Sequence, residues 1–194
     1  DINKDLNSES FLFDSNKPVL IIGSGKGTRD FKKQIEKFVN KVSPIVLELN
    51  FNGNLDQKLV NYHVYTNPQR FFGELDKLIK SEASVIIPSR ITTLQEGVDI
   101  HNYEFKISSE NKFKFNNKYS ELPNSLALAY ALALSLFSKN EEIFITGFDG
   151  YEDTARNFKV NETFNKFESS FKKNVTSITP TKYMVSQKSI FPLI

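Results

Sequence analysis

Val19-Leu20-Ile21-Ile22-Gly23-Ser24-Gly25-Lys26-Gly27-Thr28-Arg29-Asp30 decides how the rest of the chain is read. Four β-prone apolar residues run into glycines at alternate positions, and a polar cluster then leads into a helical pattern. That order is strand, tight turn, helix N-terminus. At such a turn, backbone N–H groups and the positive end of the helix dipole point out of the fold, and glycine lets a ligand approach the backbone. The stretch predicts a cradle for a phosphate or carboxylate built from Gly23, Ser24, Gly25, Lys26 and Gly27. The alternative is a glycine-rich turn that holds no ligand. The spacing matches neither familiar phosphate loop. The dinucleotide fingerprint G-x-G-x-x-G would place glycine at Thr28, and the P-loop would place its lysine after the last glycine, whereas Lys26 precedes Gly27. Glu48 is the nearest candidate for the acid that follows the second strand in dinucleotide-binding folds.

Outward from this turn, strands and helices alternate. Phe31, Ile35, Phe38 and Val39 recur at helical spacing with lysines on the other face, Asp30 or Thr28 can cap the start, and Ser43-Pro44 ends the helix. Ile45–Leu49 reads as a second strand and Tyr62–Thr66 as a third, the latter containing His63, read as structural. Asn67-Pro68 opens a helix with Phe71, Phe72, Leu75, Leu78 and Ile79 on one face. Ser84–Pro88 is a fourth strand, and residues 89–123, which include His101, form an irregular excursion or hairpin beside the main sheet. Asn124-Ser125 is expected to cap a helix over Leu126–Leu134 that is apolar nearly all round and therefore buried. Glu142–Tyr151 is a buried strand ending in a polar turn, an amphipathic helix carries Phe164, Phe167 and Phe171, and Val175–Ile178 is a last short strand. Val/Ile-rich strands separated by helices predict an α/β fold: one Rossmann-like domain over residues 17–194, its mostly parallel sheet covered by helices on both faces. Residues 1–16, polar apart from Phe11, Leu12 and Phe13, read as a linker or flexible arm.

Composition excludes several function classes. Twenty-five basic residues against 23 acidic ones leave a formal charge of +2, too small to mark a nucleic-acid partner. The chain has no cysteine, so disulfide scaffolds and thiolate chemistry are ruled out. No apolar run has the length of a membrane span and the N-terminus lacks a signal-peptide pattern, which predicts a cytoplasmic protein without a membrane partner. Eighteen phenylalanines with no tryptophan, together with frequent Lys and Asn, point to an AT-rich bacterial genome. Two isolated histidines at non-ligating spacing predict no metal site.

In a parallel α/β sheet, ligands sit at the carboxyl ends of the strands where the strand order reverses. That rule gathers Gly23–Thr28, Asn50–Asn52, Thr66–Arg70, Ser89-Arg90, Pro123–Ser125 and Gly147–Tyr151, and within them Gly23–Gly27, Asn67, Arg70, Asn124, Ser125 and Asp149 are the candidate ligand-binding set. Lys26, Arg70 and Arg90 together can neutralise a phosphate, or each is a solvated charge. Asn124 and Ser125 offer helix-start amides as well as a cap. Asp149 can bind a ribose or sugar hydroxyl, hold a metal or act as a base, or is a turn former. No catalytic residue is identified.

Val19–Gly25, Tyr65-Thr66-Asn67-Pro68 with Phe71-Phe72, and Asn124–Leu134 followed by Ile143–Tyr151 resemble two groups of proteins. One is the bacterial sialyltransferases that bind a CMP-sugar through a Gly-x-Gly turn. The other, the closer match, is the Rossmann-like region C-terminal to HMG-CoA-lyase-type (4-hydroxy-2-oxovalerate) aldolases of bacterial surface-polysaccharide loci. The second resemblance implies a nucleotide- or nucleotide-sugar-binding accessory domain, with a nucleotide or nucleotide-sugar as its ligand and an aldolase (lyase) barrel N-terminal in the same chain. The chain opens on Asp1, so the segment 1–16 is then expected to be the linker from that barrel. The first resemblance implies a sialyltransferase-like glycosyltransferase. Those enzymes use a histidine after the Asp-bearing strand, and residues 152–194 contain none. A third expectation is a structural or oligomerisation domain without ligand.

Overall fold

The computed structural model describes residue 13, residues 16–91 and residues 95–194. In chain order its strands are β1 (Val19–Ile22), β2 (Ile45–Leu49), β3 (Tyr62–Val64), β4 (Ser84–Ile87), β5 (Ile100–Asn102), β6 (Glu104–Ile107), β7 (Lys114–Phe115), β8 (Tyr119–Leu122), β9 (Ile143–Thr146), β10 (Val175–Ser177) and β11 (Ser186–Gln187). The helices are α1 (Lys26–Asp30), α2 (Lys32–Val42), α3 (Pro68–Gly73), α4 (Leu75–Leu78), α5 (Ala127–Leu134) and α6 (Thr154–Phe171). Eight strands form one sheet in the order β11-β10-β9-β1-β2-β3-β4-β5, and every pairing in it is parallel. The chain leaves β1 on one side through β2 to β5, then returns to the other side of β1 with β9. The strand order therefore reverses between β1 and β9, the place where this Rossmann-like α/β architecture opens a crevice.

The strands are buried on both faces, as parallel strands covered by helices must be. Val19, Ile21, Leu47 and Ile145 point to one core with α5 and α6, while Leu20, Ile22, Val46 and Phe144 point to the other with Ile35, Phe38 and Val39 of α2. Register explains the division. Ile21 lies beside Leu47 and Ile145, and Leu20 beside Val46 and Phe144, so successive side chains alternate between the two cores.

Three local details differ from the sequence expectation. The first helix begins at Lys26 and breaks at Phe31, so neither Asp30 nor Thr28 caps it; the Thr28 hydroxyl instead donates to the Gly23 carbonyl at 3.1 Å. The helix after Asn67 breaks at Glu74, which buries Phe71 and Leu78 but leaves Phe72 44% and Ile79 47% exposed. Residues 100–122 contain the expected hairpin, the antiparallel pair β7 and β8, but extend beyond it. β5 joins the edge of the large sheet, and β6, β8 and β7 make a second three-stranded sheet in that order.

Core packing begins before residue 17. Phe13 is buried against Tyr62 and Phe137, with ring centroids at 5.4 and 6.1 Å. Phe11 and Leu12 lie outside the described residues. No helix among the described residues is long and apolar enough to cross a membrane.

Candidate functional site

A cleft of about 260 Å³ opens at the carboxyl ends of β9, β1, β2 and β3. Its floor is the turn Gly23-Ser24-Gly25 together with the loop Gly147–Tyr151 that follows β9. Leu49 and Asn50, at the end of β2, and Arg70, in α3, close one side. Leu126, Ala127 and Leu128 at the start of α5, Val160 of α6, and Tyr183 supply an apolar wall.

The glycines of the opening turn bring two backbones together. Gly23 N–H donates to the Thr146 carbonyl at 2.8 Å, and Gly25 N–H to the Gly147 carbonyl at 2.9 Å. A Cβ on Gly23 would lie 2.5 Å from the Gly147 carbonyl oxygen, and one on Gly147 would lie 2.1 Å from the Thr28 hydroxyl. Gly147 also has φ of +74°, a conformation that side chains disfavour. The β1 and β9 loops are thus held in direct contact, which only residues without side chains permit.

The anion position at the start of α1 is filled from within. Gly27 N–H donates to both carboxylate oxygens of Asp149, at 2.9 and 3.1 Å. A Cβ on Gly25 would sit 2.0 Å from Asp149 Oδ2, and one on Gly27 2.5 Å from Oδ1. The cradle predicted for an external phosphate is therefore occupied by the protein's own carboxylate, placed on the amide by the same attraction a phosphate would feel. Of the turn, Ser24 remains open: its hydroxyl has no hydrogen-bond partner among the described residues.

The other predicted ligand residues divide between cleft and surroundings. Gly23, Ser24, Gly25, Arg70 and Asp149 line the cleft; Lys26, Gly27, Asn67, Asn124 and Ser125 do not. Lys26 is 76% exposed and faces Asp30 at 3.7 Å, one turn along its own helix. Asn67 caps α3, accepting from Gln69 N–H at 2.9 Å and Arg70 N–H at 3.4 Å. Asn124 does not cap α5, whose N-cap is Leu126. Its side chain accepts from Leu126 N–H at 3.1 Å and donates to the Thr163 hydroxyl of α6 at 2.9 Å. The Ser125 carbonyl accepts from Thr66 at 3.1 Å. Arg90 pairs with Glu104, donates to the Phe105 carbonyl at 2.7 Å and stacks on the Phe105 ring, away from the cleft.

Glu48 takes no part in the cleft. It is fully buried in β2, and its Oε2 lies 3.1 Å from Nδ1 of the equally buried His63. His63 Nε2 meets the Ser81 hydroxyl at 3.0 Å. His101 lies on the edge strand β5, 3.3 Å from Asp99.

Sequence reasoning missed Glu74. One of its oxygens accepts from Arg70 Nε at 3.2 Å. The other accepts from the Tyr65 hydroxyl at 2.5 Å and from Phe51 N–H at 3.0 Å. Burial and the Glu74 charge push the Tyr65 hydroxyl far above its usual pKa, so it stays a protonated donor. The signal available beforehand was only the i,i+4 spacing of Arg70 and Glu74. Val160 and Tyr183 were missed as well, because only the folding of α6 and the final segment brings them to the cleft.

No protein-family model matches this chain, and no curated protein and no solved structure matches it.

Proposed function

We propose that this chain is a small-molecule-binding module that takes a nucleotide or nucleotide-sugar in the cleft between the β1 and β9 loops. The single observation that carries this reading is the cleft's position and lining. It lies at the reversal of strand order, with a glycine floor, an apolar wall and one charged side chain of each sign, Arg70 and Asp149. The apolar wall of Leu126, Leu128 and Val160 suits a planar ring laid against it, facing the glycines of the floor. Asp149 accepts from ligand hydroxyls, and Ser24 and Asn50 add hydrogen bonds.

The wider role proposed, accessory to an aldolase-type enzyme of surface-carbohydrate synthesis, is supported by sequence resemblance alone. The full-length gene tests it, by whether an aldolase-type barrel is encoded in the same reading frame. The binding reading is tested by thermal shift with CMP, UDP, GDP and their sugars. A ligand at one hundred times its Kd adds about 2.7 kcal/mol of stability, a Tm rise of roughly 5–10 °C for a domain of this size. A flat response to the whole panel leaves a structural domain. Turnover of a CMP-sugar would make the chain a transferase.

A further inference from the structure

We infer that the cleft is polarised: its anion-binding end is Arg70, Glu74 is the positioning residue that holds Arg70 there, and the glycine turn receives no phosphate. The inference takes the cleft as a ligand site and assigns its two ends.

Two facts turn the Gly25 and Gly27 amides away from an external anion. The Gly25 and Gly27 amides already donate to the Gly147 carbonyl and to Asp149. A second anion there would also meet the Asp149 carboxylate at contact distance, where like charges repel. Arg70 stands at the opposite side. It is the single cationic residue lining the cleft among the described residues, and it is bound only through Nε. Both of its Nη groups lack a hydrogen-bond partner among the described residues, leaving the pair of donors that suits a phosphate.

Glu74 is fixed from the core side. Tyr65, fully buried, and Phe51 N–H hold one oxygen, and the other faces Arg70. Without that hold, the long Arg70 side chain would spread over many rotamers and bind an anion at greater entropic cost. Asp149 follows β9 and Arg70 follows β3, with β1 and β2 between them. Three strand spacings put β9 and β3, which lead into the two ends, roughly 14 Å apart. The ligand class that fits is elongated, with a phosphate at one end and a hydroxyl-bearing ring at the other, as in a sugar or nucleoside phosphate.

The test is calorimetric titration of inorganic pyrophosphate into the full chain and its Arg70→Gln, Glu74→Gln, Arg70→Gln/Glu74→Gln and Asp149→Asn variants, each checked for folding by its thermal transition. Arg70→Gln is expected to weaken pyrophosphate by about tenfold or more. Glu74→Gln is expected to weaken it severalfold in the unaltered background and not at all in the Arg70→Gln background. A purely structural role for Glu74 would produce equal losses in both. Asp149→Asn leaves the Arg70 dependence intact. Pyrophosphate that binds regardless of Arg70, that fails to bind the unaltered chain, or that binds Asp149→Asn without needing Arg70 overturns the assignment. Nucleoside binding without a phosphate contribution would sustain the cleft as a site while removing Arg70 from it, so the two readings fail separately.

Discussion

Glu48 and His63 face each other across β2 and β3 with both side chains fully buried and Glu48 Oε2 3.1 Å from His63 Nδ1. Among the described residues neither the second Glu48 oxygen, Oε1, nor His63 Nδ1 has a hydrogen-bond partner, so the two groups meet at ion-pair distance and the pair is incompletely satisfied. Removing one member strands the other in an apolar core. Glu48→Ala or His63→Ala is expected to cost about 3–5 kcal/mol, whereas replacing both with leucine is expected to cost far less than the two single changes combined. Urea unfolding of the three variants checks this, and additive losses would contradict it.

Gly27 and Asp149 form the second coupled pair. A Cβ at Gly27 meets the Asp149 carboxylate at 2.5 Å and the Thr179 hydroxyl at 3.2 Å, both side-chain atoms. Gly27→Ala in the unaltered chain should therefore displace the carboxylate and lose a charge-assisted hydrogen bond, about 1.5–3 kcal/mol. In an Asp149→Ala background the same substitution should cost markedly less. Gly23→Ala, which meets the Gly147 backbone at 2.5 Å, should cost the same in both backgrounds. Denaturant midpoints of the five variants separate these outcomes.

Buried tyrosines predict the alkaline limit of stability. Burial pushes the Tyr103 and Tyr183 hydroxyls up to about 12, with the Ser120 contact partly opposing the shift at Tyr103 and the charges of Tyr151 and Asp149 adding to it at Tyr183. Burial raises Tyr62, Tyr65 and Tyr130 as well. The unfolded chain loses these protons near pH 10 while the folded chain retains them, so stability is full below pH 10 and falls above it. Each group contributes up to about 1.4 kcal/mol per pH unit across its window. Urea unfolding at stepped pH between 8 and 12 reads the slope. A pH-independent midpoint would refute the burial of these hydroxyls.

Phe13 tests where the domain starts. A flexible arm ending at residue 16 would make Phe13→Ala silent. Its contacts with Tyr62 and Phe137 predict instead a loss of about 3–5 kcal/mol, and a similar loss on deleting residues 1–16. Thermal unfolding of the truncated and substituted chains measures both.

How much of this was legible in the sequence depends on distance along the chain. The Val19–Ile22 strand, the turn and the parallel sheet follow from local pattern, because a run such as Ile45–Leu49 has few other ways to bury itself. Arg70 and Asp149 emerge as cleft residues from the rule that ligands gather at strand ends. What occupies the Gly27 amide did not emerge. Asp149 is 122 residues away, and nothing in either segment announces that the two are partners. The glycine spacing predicts room for a ligand, whereas at Gly23 and Gly25 it makes room for the backbone of Gly147. Asn124 illustrates a subtler failure. An asparagine ahead of a helix predicts a cap, but a turn onto Leu126 and a bond to Thr163 across the core satisfied the same side chain better.

The contact between Gly23 and Gly147 also bears on the selectivity of the proposed ligand site. Where two main chains already touch, the crevice has no give, and a bulkier guest cannot wedge these loops apart without breaking the hydrogen bonds that join them. At the proposed site, discrimination by size would therefore fall to the walls rather than the base, among them the short helix bearing Arg70 and the segment around Asn50. Variation in those two pieces, over an unchanging base, is the route by which this scaffold would come to accept a different guest.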